Sequence, residues 1–523
     1  MKRIKLLYYT IKYLKFTQVF YQVLYRLKTK TVVVNQDNIN NFNLITVNFT
    51  YWIPQESKYI GKNSFRFLNF EKHFEDKIDW NCSEYGKLWT YNLEYFDFLN
   101  QDDIDVNEKL RLINDFYTFC ISNKKVLEPY PVSLRIINII KFLSISNIRD
   151  EKIVSYINQE LIFLSKNLEF HILGNHLLEN LFALLLGGHY FNNTKWILLA
   201  EKNLKVQLDE QILQDGAHFE LSPMYHQIIL FRLLELIDWY SRQKNLNNEF
   251  LDNCKLKAKS MLGWLKAISF ENGDIPLFKD SAKDITYTSA NLYDFSKFLN
   301  LDFKNENLSV SGYRSFRNRT FEIKINFAQV GAPYQPGHAH ADALSFILYA
   351  NNKPLLVEQG TSTYQIGQRR DLERSTEAHN TVVVDNINQS EVWGGFRVGR
   401  RAKSFISSEN INEFVGYHDG YKRRGTIHQR SFELSDNHIY IKDSLTNNKS
   451  GVAYLHIAPD LILNQKDYCT FSVGENCILK FEQATEIFIE NYLYADCYNI
   501  YKESQRLKVS FISELNTSIN FIK

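Results

Sequence analysis

A change of periodicity near residue 305 constrains this chain more than any other feature of its sequence. From about Glu108 to Leu299, apolar residues recur at helical spacing, as in Leu110, Leu112, Ile113 and Phe116, and again in Leu177, Leu178, Leu181, Leu184 and Leu185, the mark of helices that bury one face. Short breakers (Glu128-Pro129-Tyr130-Pro131, Gly187-Gly188, Asn272-Gly273-Asp274) separate the segments, and no strand pattern intervenes. Such a run of helical hairpins predicts an all-α array or toroid. After Ser311-Gly312-Tyr313 apolar and polar residues alternate, as in Thr320 to Ile325, His438 to Lys442 and Leu507 to Phe511, with Asn-Asn turns between runs. Many short strands without intervening helices predict an antiparallel β-sandwich. At 523 residues the chain exceeds one hydrophobic core. Its expected division is an amphipathic, irregular lead-in over 1–85, an α/α toroid over 86–305 and a sandwich over 306–523.

Composition removes several function classes. A net charge of +2 gives no global attraction to nucleic acid, which is not expected as a partner. The six cysteines (Cys82, Cys120, Cys254, Cys469, Cys477, Cys497) are scattered, with no CxxC, against a disulfide scaffold or a thiolate zinc site. No HExxH, GxSxG, Walker loop or GxGxxG after a strand is present, so zinc-peptidase, serine-hydrolase, phosphate-loop and dinucleotide readings lack their central parts. Residues 1–30 are basic and apolar but interrupted by Lys12, Lys15 and Arg26. They read as a helix docked on the protein or peripheral on a membrane, rather than a signal peptide. A cytoplasmic or membrane-peripheral location is therefore expected over secretion. The oligomeric state is not readable.

Three constellations could carry chemistry. Gly174-Asn175-His176-Leu177-Leu178-Glu179-Asn180 sets polar groups on one side of an apolar helix. Asp215-Gly216-Ala217-His218-Phe219-Glu220-Leu221-Ser222-Pro223-Met224-Tyr225-His226 is an irregular polar segment inside the helical region, where function tends to lie; Tyr225 can act as acid, or as base once deprotonated. In Gly337-His338-Ala339-His340-Ala341-Asp342, His338, His340 and Asp342 would share one face of a strand. His340, Glu358 and His379, from separate segments, form a ligand set suited to zinc. Arg397, Arg400, Arg401 and Lys403, then Lys422, Arg423 and Arg424, lie near Trp393 and Phe396 and could hold an anionic polymer.

Together, Asn175 to Asn180, Asp215 to His226, His338 to Phe346, and Arg374 to Val382 continuing to Trp393-Gly394 resemble the heparinase II/III-like polysaccharide lyases, from roughly Leu88 to residue 460. The resemblance implies a helical toroid followed by an antiparallel β-sandwich. It also implies β-elimination on a uronic-acid-containing anionic polysaccharide, glycosaminoglycan or capsular. Asn175, with His176 beside it, would neutralise the sugar carboxylate, Tyr225 would act as base, acid or both, and His338 as partner base. Glu220, His226, Arg374, Trp393 and Arg397 would contact substrate. His340 and His379 match positions that bind a structural zinc in some relatives, with Glu358 standing where an aspartate is common. Two other readings fit the same architecture. One is a glycoside hydrolase using two of Glu220, Asp215 and Glu179, which needs carboxylic acids about 5 to 10 Å apart. The other is a carbohydrate-binding protein of polysaccharide assembly that has lost turnover.

Overall fold

The computed structural model describes residues 2–27, 42–53 and 57–522. Helices α1 (Lys2–Ile11) and α2 (Phe16–Leu27) precede a small hairpin, Ser64–Phe67 with Phe70–His73, and α3 (Lys87–Tyr95). The helical region continues through α4 (Val106–Ser122), α5 (Pro129–Ile145), α6 (Glu151–Lys166), α7 (Gly174–Tyr190), α8 (Thr194–Gln211), α9 (Pro223–Tyr240), α10 (Asn248–Ile268) and α11 (Ser289–Phe298). The starts follow from the residues: Asp105, Asp150, Asn193, Ser222, Asn247 and Thr288 each cap a helix by accepting a backbone N–H, which satisfies donors the first turn leaves open. Helix α5 packs against α6 and α7, α7 against α8, and α9 against α10. Their shared core takes in Phe65 and Trp80 of the lead-in.

The first strand of the large sheet begins at Tyr313. Fourteen antiparallel strands are hydrogen-bonded in one sheet, from the edge strand Ser404–Glu409 to the opposite edge Tyr313–Arg317. The sheet folds over on itself. Phe321 and Phe521 stack with ring centroids 5.0 Å apart although three strands separate theirs in the sheet order, a distance of about 19 Å in a flat sheet at ~4.8 Å per strand. Two layers therefore enclose a core that includes Ile323, Leu348, Phe432, Ile441 and Leu515. Two features depart from the expected run of short strands without helices. Strands Cys477–Tyr494 and Lys502–Phe521 form one long hairpin, kinked by bulges near Ala484, and a short helix, α12 (Gln368–Glu373), lies between strands.

The sheet docks on the helices through aromatic pairs, Phe270 on Tyr349 with centroids 3.7 Å apart and Phe278 on Tyr313 at 5.2 Å. Beside the start of α7 lies a cleft where partly exposed His176 and Tyr225 of the helical half face partly exposed His338 and Tyr364 of the sheet half.

Candidate active site

Two helix starts supply the helical wall. Leu173 (φ +67°) and Gly174 (φ +58°) turn the chain left-handed into α7, which places Asn175 on the first turn inside the helix rather than at its cap. Leu221, next to Glu220, and Leu344 also have positive φ, +57° and +62°. A left-handed leucine costs on the order of 1–3 kcal/mol, and such strain gathers at functional sites. The Asn175 amide lies 3.3 Å from the Tyr130 hydroxyl, and its Oδ1 is buried without a partner. Because that hydroxyl can donate as well as accept, the amide can turn over and present its N–H donors to the cleft. His176 Nδ1 lies 3.1 Å from Glu169. Burial works to lower its pKa, but the Glu169 carboxylate prevails and raises it. Tyr225 lies in the first turn of α9, two residues after Pro223, its N–H accepted by the Ser222 cap.

The opposite wall is the loop that carries His338. Its imidazole stacks on the Tyr225 ring, centroids 3.8 Å apart. The Tyr225 hydroxyl lies 3.1 Å from that of Tyr364, which in turn lies 3.5 Å from His338 Nδ1. Burial pushes both phenols well above their ordinary range, so at rest both are protonated. Glu220 bridges the walls. It accepts a backbone hydrogen bond from Asn175, and its Oε2 lies 3.7 Å from His338 Nε2.

Asp280, which periodicity and motif spacing did not reveal, organises this wall. It accepts from His338 Nδ1 at 2.9 Å and His340 Nε2 at 2.8 Å, and pairs with both terminal nitrogens of Arg370 at 2.5 and 2.6 Å. Burial alone would raise its carboxyl, but Arg370 and the two imidazoles hold it well below the usual range. A carboxylate on Nδ1 fixes the proton there and leaves Nε2 as the basic lone pair facing the cleft.

The remaining expected positions divide. Asn175, His176, Glu220, Tyr225 and His338 converge. Asp342 does not: residues 337–345 form a loop rather than a strand, and Asp342 accepts from Asn326 at 2.9 Å while its two histidine neighbours turn to Asp280. His226 is interior. Its Nδ1 accepts from the His218 N–H, its Nε2 donates to Met261 O, and burial lowers it to about 3, which corrects its assignment to substrate contact. Arg374 is likewise sealed, bracing Ala339 O and Arg397 O. Trp393 donates to Thr10 of α1, and Arg397, exposed, lies over the Trp393 ring at 4.9 Å; neither points at His338. Arg400 covers Tyr9 of α1 and Arg401 covers Tyr13 just beyond it, at 4.3 and 3.9 Å, so these two dock the N-terminal segment, while Lys403, Lys422 and Arg424 stay exposed. Of the hydrolase carboxylates, Asp215 accepts from the Ser311 and Ala217 backbones, and Glu179 pairs with Arg232; only Glu220 enters the cleft.

The candidate zinc ligands are close but not closed. His340 Nδ1, Glu358 Oε1 and His379 Nε2 are buried without hydrogen-bond partners, as donors awaiting a cation would be. The two imidazoles lie 5.2 Å apart, and His379 Nδ1 bonds Glu358 Oε2. Yet among the described residues no three His, Cys, Asp or Glu side chains are arranged to hold a metal ion. The donors fit zinc in kind and burial and not in geometry.

Comparison with known proteins agrees with this architecture. Residues 130–308 match the heparinase II/III N-terminus family and residues 303–521 the heparinase II/III-like C-terminal family. A heparin-sulfate lyase of Bacteroides stercoris is 25% identical over 349 residues, 61% of this chain and 50% of that protein. One of Pedobacter heparinus is 25% identical over 241 residues, 41% and 36% of the two chains. The chain thus spans half the length, or less, of these curated relatives. A heparinase III crystal structure superposes with a TM-score of 0.69 at 16% identity, covering 97% of this chain and 91% of that one. With two consecutive family matches running from residue 130 to 521, the chain belongs to the heparinase II/III-like family.

Proposed function

We propose that this protein is a lyase that cleaves a uronic-acid-containing anionic polysaccharide, of the glycosaminoglycan kind, by β-elimination. The observation that carries the reading is the stacked Tyr225–His338 pair facing the Asn175 helix start across Glu220. Asn175 N–H donors and His176, whose pKa Glu169 raises, meet the sugar carboxylate, which acidifies the adjacent C5 proton and receives charge as that proton leaves. His338 Nε2, its other nitrogen held by Asp280, removes the proton. Tyr225, kept as a phenol, donates its proton to the departing O4. The C4–O4 bond breaks as the C4–C5 double bond forms, so no water is consumed. The heparin-sulfate lyase activity of the named relatives supports the substrate class.

The binding-module alternative predicts polymer affinity without turnover. Incubating the protein with a panel of uronate polymers separates the readings: elimination leaves a 4,5-unsaturated uronate that absorbs in the near ultraviolet, and hydrolysis or mere binding leaves none. Absence of that absorbance across the panel would overturn the lyase reading. His340, Glu358 and His379 would hold a structural zinc ion only if their side chains drew closer together than they stand here. Elemental analysis of protein purified without added metal tests for that ion, and a ratio of zinc to protein near zero removes it.

A further inference from the structure

Helices α1 and α2 are docked the wrong way round for a soluble surface. Ile4, Leu7, Tyr8 and Ile11 of α1 fall at i, i+3, i+4 and i+7 and are 46–72% exposed. Phe16, Val19, Phe20, Val23 and Leu27 of α2 form the matching stripe at 42–82% exposure. Amphipathic helices on a globular surface normally turn such a stripe inward. Here the opposite faces hold the protein. Tyr9 and Tyr13 sit under Arg400 and Arg401, and Thr10 bonds Val398 O and Trp393. Gln18, 3% exposed, donates to Ile172 O and Tyr334 O, and Tyr21 stacks on Phe170 at 4.9 Å. These contacts fix the apolar stripes outward.

Charge indicates what covers them. Residues 2–27 contain Lys2, Arg3, Lys5, Lys12, Lys15 and Arg26 and no acidic residue. Arg3 and Lys5, both exposed, flank the α1 stripe on either side at 100° per residue. A surface that is apolar along its middle and cationic at its edges complements an anionic lipid interface, where side chains enter the acyl boundary and cations meet headgroup phosphates. No described helix is long and apolar enough to cross a bilayer, so both would lie in its plane.

We propose that α1 and α2 form an in-plane anchor on an anionic lipid bilayer, which holds the cleft at the membrane surface. The anchor touches both sides of the cleft entrance. Helix α2 packs on the segment that leads into Asn175, and α1 on the Trp393–Val398 hairpin, whose Phe396 lies against His338 and Tyr364. The inference stands apart from the lyase reading and holds or fails without it.

The test is co-sedimentation of the full chain with vesicles of about one third phosphatidylglycerol in phosphatidylcholine, beside vesicles of phosphatidylcholine alone. Binding should be roughly tenfold or more stronger to the anionic vesicles and weaken with added salt. Phe16→Ser/Phe20→Ser/Val23→Ser should lose roughly tenfold or more of that binding with an unchanged unfolding temperature, since all three side chains are exposed. Arg3→Glu/Lys5→Glu, which leaves the apolar stripe intact, should abolish the anionic preference. No sedimentation of wild type with either vesicle overturns the proposal. So does a wild-type dimer in light scattering that the triple-serine variant converts to monomer, because a second copy then covers the face.

Discussion

The molecule contains two clusters in which one buried aspartate serves an arginine and histidines, and they do different things. In the sheet interior, Asp443 pairs with Arg430 at 2.7 and 3.0 Å and with His428 at 2.6 Å, and His428 continues to His418. Every member is sealed from solvent. In the cleft, Asp280 pairs with Arg370, His340 and His338, and of these only His338 keeps an open edge, with 15% of its side chain exposed. Composition is the same in both. What separates them is that one imidazole keeps a partly exposed edge and has a tyrosine stacked on it. A polar cluster becomes a candidate site through that opening, not through its residue types.

The sharpest way to break this comparison is Tyr225→Phe, which removes only a hydroxyl. Turnover on the polymer that gives ultraviolet product should fall by roughly 10²- to 10⁴-fold, the usual scale for a general acid or base. His338→Ala should fall similarly, and the double variant by less than the product, since the two act as a unit. Asn175→Ala should also lower turnover, by removing a donor to the developing charge. Full activity in Tyr225→Phe would leave the mechanism resting on fold likeness alone.

Next in size is the paired removal of the two carboxylates. Asp443→Asn and Asp280→Asn each leave a buried arginine uncompensated, a loss of about 3–5 kcal/mol of stability, readable as a shift in the urea midpoint at constant slope. Only Asp280→Asn should also lower kcat, with KM little changed, because it positions His338 and contacts no substrate. A kcat loss in folded Asp443→Asn would erase the distinction between sealed and open clusters.

The two clusters were unequally legible in the sequence. His338 and His340 stand two residues apart in a short polar run, and Asn175 and Tyr225 sit at helix starts with recognisable neighbours. Asp280 gave no such signal. Its partners are 58, 60 and 90 residues away, and it follows Lys279, whose left-handed φ of +56° ends any periodicity. The same limit explains Asp342. Alternation in His338-Ala339-His340-Ala341-Asp342 reads as a strand, but Leu344 at φ +62° breaks it before Phe346. Alternating burial in the sheet was readable because it is local; the fold-over that stacks Phe321 on Phe521 is a long-range fact. Trp393 is expected from the sequence to contact substrate, and its partner Thr10, 383 residues away, carries no local signal.

Acid should act on both halves, and more gently, since His340 of the sheet half is also lowered by burial, to about 4. His189 and His226 in the helical half are held by burial at about 4 and about 3, below the unfolded value near ~6.5. The unfolded chain therefore takes up protons first, and stability falls as pH drops from about 6.5 towards those values. Asp443 is different. Burial would raise it, but Arg430 and His428 lower it from 3.8 to about 2, so its contribution, on the order of 2 kcal/mol, is intact above about 3.8 and lost as pH falls through about 2. Stability measured by urea at successive pH values should show both windows, and Asp443→Asn should flatten only the lower one.

The smallest expected effect concerns Tyr364, which touches both Tyr225 and His338 without stacking on either as closely. Its hydroxyl at 3.1 Å from that of Tyr225 can orient the proton to be donated. Arg370, 4.9 Å from its ring centre, ties it to the Asp280 cluster. Tyr364→Phe keeps the ring and that contact and deletes the hydroxyl's hydrogen bonds, at 3.1 Å to Tyr225 and at a long 3.5 Å to His338, together about 0.5–1.5 kcal/mol because only the first is well within bonding distance. Turnover should then drop by roughly 2- to 12-fold, with KM and the unfolding midpoint nearly unchanged. A loss as large as that of Tyr225→Phe would move the acid role to Tyr364 and leave Tyr225 as the platform that orients His338. No loss at all would mean that Tyr225 is aligned by its stack on His338 alone.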